Sequence, residues 1–410
     1  MVALKLRRSP SRPRLLELAW DRSLEEWPDD DFVRLPAGTH RHVVRFLNHE
    51  GVYYALKELP TRLAEREFEN LDRLREESLP AVTLVGIATD RTDANGEPLE
   101  SVLITRHLRY SLAYRTVFTD LSDKAQRGQM IDALAVLLVR LHLGGFFWGD
   151  CSLNNALFRR DAGAIRAYVV DTETSEFHDE LSKGQRQHDL DIAVENVAGG
   201  LYDLQAEGRL STAVDPADVV EALTERYEVL LADLTEAEEV PVSELGRIQA
   251  RLERLNKLGF DTEEYELREE NGLVRFRPTV VEEGYHKRSL LRLTGIVAHE
   301  NQARRLLNAI RGYGAWLAQT EGEPLPEAVM GYRWMTERWR PALDAIPSDL
   351  RGRLEDAEIY HELLEHNWYL SEQAGEEVEL SEAVDSYVTN VLTGRPDERH
   401  ALPRSEGSAG

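Results

Sequence analysis

The segment Trp148-Gly149-Asp150-Cys151-Ser152-Leu153-Asn154-Asn155 sets an aspartate and an asparagine five residues apart, in a loop between a leucine-rich helical stretch and a short strand pair. Val169-Val170-Asp171 then brings a second carboxylate to a strand end. A turn and hairpin of that length can return Asn155 and Asp171 to one place. An amide oxygen and a carboxylate, completed by phosphate oxygens and water, make a hard-oxygen site of the kind Mg²⁺ prefers. Asp150 is left to accept a proton from a substrate hydroxyl. Asn154 reads as a turn residue, and as the alternative ligand if the loop register differs. Cys151 reads as a buried, inert thiol.

These side chains need a scaffold. Alternating residues predict strands at Asp31–Leu35 and Arg41–Leu47 around the turn Pro36-Ala37-Gly38. Asn48-His49-Glu50-Gly51 then turns the chain into a strand at Val52–Leu59. Pro60 stops that strand and Thr61 offers an N-cap for a helix at Arg62–Glu77, with Ala64, Phe68, Leu71 and Leu74 on one face. Strands follow at Ala81–Thr89 and Ser101–Leu108, then a helix over Asp123–Leu143 that Gly144-Gly145 ends. Strands at Ala156–Arg159 and Arg166–Val170 turn at Asp161-Ala162-Gly163, and a helix spans about Asp189 to Gln205.

In this order the segments resemble the protein-kinase-like superfamily, and within it the small bacterial kinases of the lipopolysaccharide-kinase-like and aminoglycoside-phosphotransferase-like kinds. The resemblance covers roughly Asp31–Gln205. It implies an α+β, two-lobed fold with an antiparallel N-lobe sheet and a helical C-lobe, to which an additional, mostly α-helical C-terminal domain is attached. Tyr54-Ala55-Leu56-Lys57 resembles the strand-three lysine motif. Lys57 would neutralise the α- and β-phosphates of ATP and, with Asp150, serve catalysis. Glu67 would hold that lysine, with Glu65 and Glu69 competing on the same helix. Gly38, Lys57, Glu67, Thr105, His107 and Leu108 would meet the nucleotide, the last three at the strand end that faces adenine. Asn155 and Asp171 would hold Mg²⁺. Asp189 or Asp191 would brace the catalytic loop backbone.

The departures from the pattern are specific. Trp148 replaces a histidine, so one bond bracing the loop must be made otherwise. Asp171-Thr172-Glu173 lacks the usual glycine, and Ser152 stands where many relatives carry Lys or His. Leu35–His40 holds the single glycine Gly38, so its backbone cradles phosphates less closely than a Gly-rich loop.

The chain has 49 Lys+Arg against 74 Asp+Glu, a formal charge of −25. Such a mean field repels nucleic acid and anionic membranes. A lone cysteine excludes an intrachain disulfide and a Cys-based zinc site. His361 and His366 are i,i+5, about 140° apart around a helix, which rejects zinc there as well. No apolar signal core follows the basic stretch Met1–Arg14. The longest fully apolar run, Ala133–Val139, is far short of the ~20 residues of a membrane span. A cytoplasmic protein is expected.

Helices are predicted at Pro216–Glu239, Val242–Leu258, Lys287–Ile296, His299–Gln319, Glu327–Ala345, Asp349–Gly375 and Ser381–Leu392, with a hairpin at Tyr265–Arg277 around Asn271-Gly272. Tyr265 and Leu267 should face Val274 and Phe276, and Trp334, Trp339 and Trp368 should be core. The expected division is an N-terminal extension (1–30), N-lobe (31–108), C-lobe (109–210), helical domain (211–393) and disordered tail (394–410). The expected activity is Mg²⁺·ATP-dependent phosphoryl transfer to a hydroxyl of an unidentified small molecule, sugar or lipid headgroup, or protein. A protein partner could engage the helical domain. The alternatives are a pseudokinase without turnover and an AMP transferase using the same pocket.

Overall fold

The computed structural model describes residues 3–6, 15–28, 32–33, 42–49, 52–112, 114, 118, 124–258, 260, 264–270, 273–279, 284–321, 325–376 and 378–395. Gly38, the turns at 36–38 and 271–272, and the tail from 396 lie outside them. The chain forms two units, the first comprising Met1–Phe158 and Ala167–Glu228, the second Arg159–Arg166 and Val229–Ala401.

In the first unit, strands β1 (Ala3–Leu6), β2 (Phe32–Val33), β3 (Val43–His49), β4 (Val52–Leu59), β5 (Thr83–Thr89) and β6 (Ser101–Arg106) build one antiparallel sheet in the order β1-β5-β6-β4-β3-β2. The two-residue period of β4 sends Tyr54 and Leu56 to one face and Lys57 to the other. Tyr54 and Leu56 join a core with Leu15, Trp20, Leu24, Trp27, Val102 and Ile104. Glu58 is buried on that same face, where Arg91 Nη1 donates to its Oε1 at 2.6 Å and Leu24 N to its Oε2 at 3.0 Å. Arg91 also donates to the carbonyls of Trp20 and Glu100. Arg91→Ala strands a buried carboxylate, so we expect a loss of about 3–5 kcal/mol in a denaturant titration.

Helix α1 (Thr61–Glu76) begins differently from the expectation. Pro60 is its N-cap residue and makes no side-chain cap; its carbonyl accepts the amides of Leu63 and Ala64. Thr61 is already helical, and its hydroxyl shares a hydrogen bond with Ser101 at 2.9 Å.

After β7 (Ser111–Leu112) come α2 (Lys124–Leu143), β8 (Phe146–Phe147), β9 (Ala156–Asp161), β10 (Ala164–Val169), β11 (Glu176–Phe177), α3 (Lys183–Ala206) and α4 (Pro216–Thr235). They include two small sheets, β10-β9-β7 and β11-β8. Helix α3 starts well before Asp189, because Ser182 and Gln185 form a capping box that satisfies two amides.

In the second unit, α4 stops at Thr235 rather than reaching Glu239. Arg251, on α5 (Gly246–Lys257), donates to the carbonyls of Ala232, Asp233 and Glu236 and so closes that helix end. The residues released form β12 (Glu238–Pro241), which joins β13 (Glu264–Glu270) and β14 (Leu273–Thr279) in the order β12-β14-β13. Leu267 pairs with Phe276 as expected, whereas Tyr265 pairs with Pro278.

Helices α6 (Tyr285–Thr294), α7 (Glu300–Glu321), α8 (Glu327–Trp334), α9 (Arg340–Asp344), α10 (Asp356–Ala374) and α11 (Leu380–Asn390) surround a core that includes Leu290, Ile310, Trp334, Trp339, Tyr360 and Tyr387. Trp368, expected in that core, is 64% exposed. The helix expected over Glu327–Ala345 contains a π-helical turn at Met335–Trp339, just before Pro341, which has no N–H to give the ladder. Gly352, at φ 93°, keeps residues 349–355 out of α10. Among the described residues no helix is long and apolar enough to cross a membrane.

Helix α7 is capped from far away in sequence. Asp161 accepts the first-turn amides of Asn301 (3.3 Å) and Gln302 (2.9 Å). Glu358, on α10, accepts Ala162 N at 2.8 Å and Gln302 Nε2 at 2.9 Å. Glu300 accepts both the amide and the ring Nδ1 of His286. Burial pushes the Glu300 carboxyl up, but those two bonds, with Lys287 and Arg166 nearby, hold it down at about 2. Its folded value lies below the ordinary 4.5, so its contribution is present above pH 4.5 and lost as pH falls toward 2. We expect about 3 kcal/mol of acid sensitivity across that window, flattened in Glu300→Gln when unfolding is followed against pH.

Candidate active site

Lys57, on the α1 side of β4, meets three carboxylates: its Nζ lies 2.9 Å from Glu67 Oε2, 2.6 Å from Asp171 Oδ2 and 3.1 Å from Glu173 Oε2. Glu67 is buried, while Glu65 and Glu69 are exposed, so the competition along α1 falls to Glu67. Burial lowers the Lys57 pKa, but Glu67 and Asp171 outweigh it and keep the ammonium charged. Burial, and then Asp171, push Glu67 up to about 8 against the pull of Lys57.

The segment carrying Asp171 is held from α1. Asn70 Nδ2 donates to the carbonyls of Thr172 (2.9 Å) and Ser175 (3.0 Å). Glu173 N donates to Asp171 Oδ1 at 3.1 Å, and His42 Nε2 lies 3.1 Å from Glu173 Oε2. Sequence reasoning missed Glu173 and Asn70. The i,i+2 carboxylates of Asp171-Thr172-Glu173 were a signal for the first; nothing local marked the second.

The loop that follows β8 is braced from beneath. Asp189 accepts Trp148 N at 2.8 Å and Gly149 N at 2.7 Å, and lies 3.0 Å from His142 Nε2. His142 Nδ1 in turn lies 2.6 Å from the Tyr227 hydroxyl. Asp191 is exposed and accepts from Gln187, so the bracing aspartate is Asp189. Gly149 sits at φ 75°, where an added Cβ would come within 3.2 Å of the Thr174 carbonyl. Trp148 makes a bond to the Asp171 segment itself, its indole Nε1 donating to Asp171 O at 3.1 Å.

Asn155 Nδ2 donates to both the carbonyl and Oδ2 of Asp150, each at 3.0 Å. Asn196, on α3, donates to Asp150 Oδ1 at 3.0 Å. No motif pointed to Asn196. Burial, then the charge of Asp171, raise the Asp150 pKa, and the bonds from Asn155 and Asn196 oppose the rise. Asn155 O accepts Val170 N, which sets Asn155 beside the residue preceding Asp171. Asn154 is exposed, and Ser152 Oγ accepts Asn155 N within the turn. Cys151 is buried and its thiol is pushed up by that burial, which fits an inert side chain.

Thr105 ends near the edge of β6, opposite Ala55, and His107 N donates to Tyr53 O just beyond it, with Leu108 following. The His107 ring stands edge-on to Phe46, 5.5 Å between centroids.

Glu67, Asp171 and Glu173 offer oxygens within 4.8 Å of one another. Such a hard-oxygen set suits a divalent cation like Mg²⁺. Residues 40–196 match the lipopolysaccharide kinase (Kdo/WaaP) family. This stretch is lipopolysaccharide-kinase-like. Residues 229–392 match DUF4032, a domain of unknown function. A solved structure described as WaaP in complex with acyl carrier protein is 18% identical, covering 56% of this chain and 88% of that one, with a TM-score of 0.34. An aminoglycoside-3'-phosphotransferase of type VIII is 14% identical, covering 50% of this chain and 88% of that one, also at 0.34. No curated protein matches the chain.

Proposed function

We propose that the kinase-like unit transfers the γ-phosphoryl group of Mg²⁺·ATP to a hydroxyl. The observation that carries this reading is the convergence of Lys57 with Glu67 and Asp171, residues from a strand, a helix and the segment after β10, within a stretch that matches a kinase family. In this reading Lys57 binds the α- and β-phosphates and Glu67 holds its ammonium. Asn155 and Asp171 would hold Mg²⁺, with Glu173 beside them, and the bound ion would supply charge neutralisation to the phosphates. Thr105, His107 and Leu108 line the adenine end, and Gly38 belongs to the phosphate loop. Asp150 takes the hydroxyl proton as the new O–P bond forms and the bond to the ADP oxygen breaks. The acceptor is a hydroxyl on a small molecule, a sugar or lipid headgroup, or a protein.

The test is ADP release and nucleotide-induced melting shifts, with and without Mg²⁺. Wild type should gain thermal stability from ATP chiefly when Mg²⁺ is present, and Asp171→Ala should lose that Mg²⁺-dependent part by an order of magnitude or more in affinity. A second reading, nucleotide binding without turnover, is favoured by the single glycine of Leu35–His40. It predicts the melting shift with no ADP formed. ATP labelled at the α-phosphate would reveal AMP transfer through label left on protein.

A further inference from the structure

Helix α3 reaches the catalytic loop at two points. Asp189 takes the loop amides of Trp148 and Gly149. Asn196 lies two turns further along, only about 20° around the helix from Asp189, so both face the loop. There Asn196 Nδ2 donates to Asp150 Oδ1 at 3.0 Å, while Asn155 Nδ2 holds Oδ2. The carboxylate is therefore gripped at both oxygens. Each oxygen keeps a further lone pair for an incoming hydroxyl.

The two asparagines are not equivalent. Asn155 shares its amide nitrogen between the Asp150 carbonyl and Oδ2, and in the reading above it lends its oxygen to the cation. Its hold on Asp150 would therefore be tied to its place as a ligand. Asn196 touches none of Lys57, Glu67, Asp171 or Glu173 among the hydrogen bonds described, and it sits on a helix pinned to the same loop through Asp189. It supplies a hold that does not pass through the metal ligands.

We propose that Asn196 is a positioning residue for phosphoryl transfer, fixing the Asp150 carboxylate so that a free lone pair meets the acceptor hydroxyl. This rests on the phosphotransfer reading. As the hydroxyl oxygen bonds to the γ-phosphorus and ADP departs, the proton moves to an Asp150 oxygen whose direction Asn196 has set. A misplacement of an ångström at such a point can cost about a hundredfold in rate.

The experiment compares the full chain with Asn196→Leu, which keeps the shape without the donor, and with Asn196→His, whose Nδ1 can donate from nearly the same reach. MgATP is the probe, with water as acceptor, and ADP release and nucleotide affinity are measured separately. Expected is a fall in turnover of about 10- to 100-fold in Asn196→Leu, with nucleotide affinity within about twofold of wild type, and recovery of most of the rate in Asn196→His. If Asn196→Leu does not fold, Asn196→Ala replaces it, since the site is only half-buried. Wild-type turnover in the donor-free variant would overturn this assignment alone. So would turnover and affinity falling together, which is the mark of a purely structural residue. No turnover in wild type would overturn the phosphotransfer reading and this assignment with it.

Discussion

Asp150→Ala should cut MgATP turnover by about 10²–10⁴-fold while nucleotide affinity stays near that of wild type. The side chain is removed from the proton, not from the phosphates: the bonds holding it come from Asn155 and Asn196, and none comes from Lys57. The Trp148 and Gly149 amides still bond to Asp189, so the loop backbone keeps its main brace. Single-turnover ADP formation, set against a nucleotide titration, separates the two effects. Equal turnover in both proteins would show that Asp150 takes no part in the reaction.

Lys57→Met should have the largest effect on stability and on nucleotide binding together. Without the ammonium, Glu67, Asp171 and Glu173 remain within 4.8 Å of one another with their shared cation gone. Breaking a buried ion pair from one side costs about 3–5 kcal/mol. The sign with pH follows from Glu67, already raised from 4.5 to about 8 with Lys57 present. A carboxyl raised in the folded state contributes stability below its unfolded value, and that contribution is lost as pH rises. The deficit of Lys57→Met should therefore be smallest near pH 5 and largest above pH 8. Added Mg²⁺ should restore part of it by taking the place of the missing charge. Thermal melts at pH 5 and pH 8.5, with and without Mg²⁺, check each point; a deficit independent of pH would mean that the trio is not under charge strain.

Much of the scaffold was legible because it rests on local rules. Val52–Leu59 alternates and ends at a proline, α1 shows its apolar face, and Gly144-Gly145 stops α2. The order of lysine, glutamate, Asp150, Asn155 and Asp171 could be read because each sits in a recognisable local context. Asn70 and Asn196 could not, since their partners lie 102 and 46 residues away and their own surroundings are ordinary helix. The same holds for Trp20, Leu24 and Trp27, whose core role depends on a sheet face formed by later strands. The end of α4 was misread because Arg251, 15 residues past Glu236, decides where it closes. Trp148 is the instructive case. Its type broke the family pattern, yet its indole N–H still reaches the Asp171 carbonyl.

The start of α7 depends on an acceptor 140 residues earlier in the chain. A gene fragment opening at Val229 would encode all of the DUF4032 stretch and still leave the Asn301 and Gln302 amides without their Asp161 acceptor. As a heritable segment that stretch begins at 229; as a folding object it also owns eight residues, Arg159–Arg166, borrowed from the middle of its neighbour.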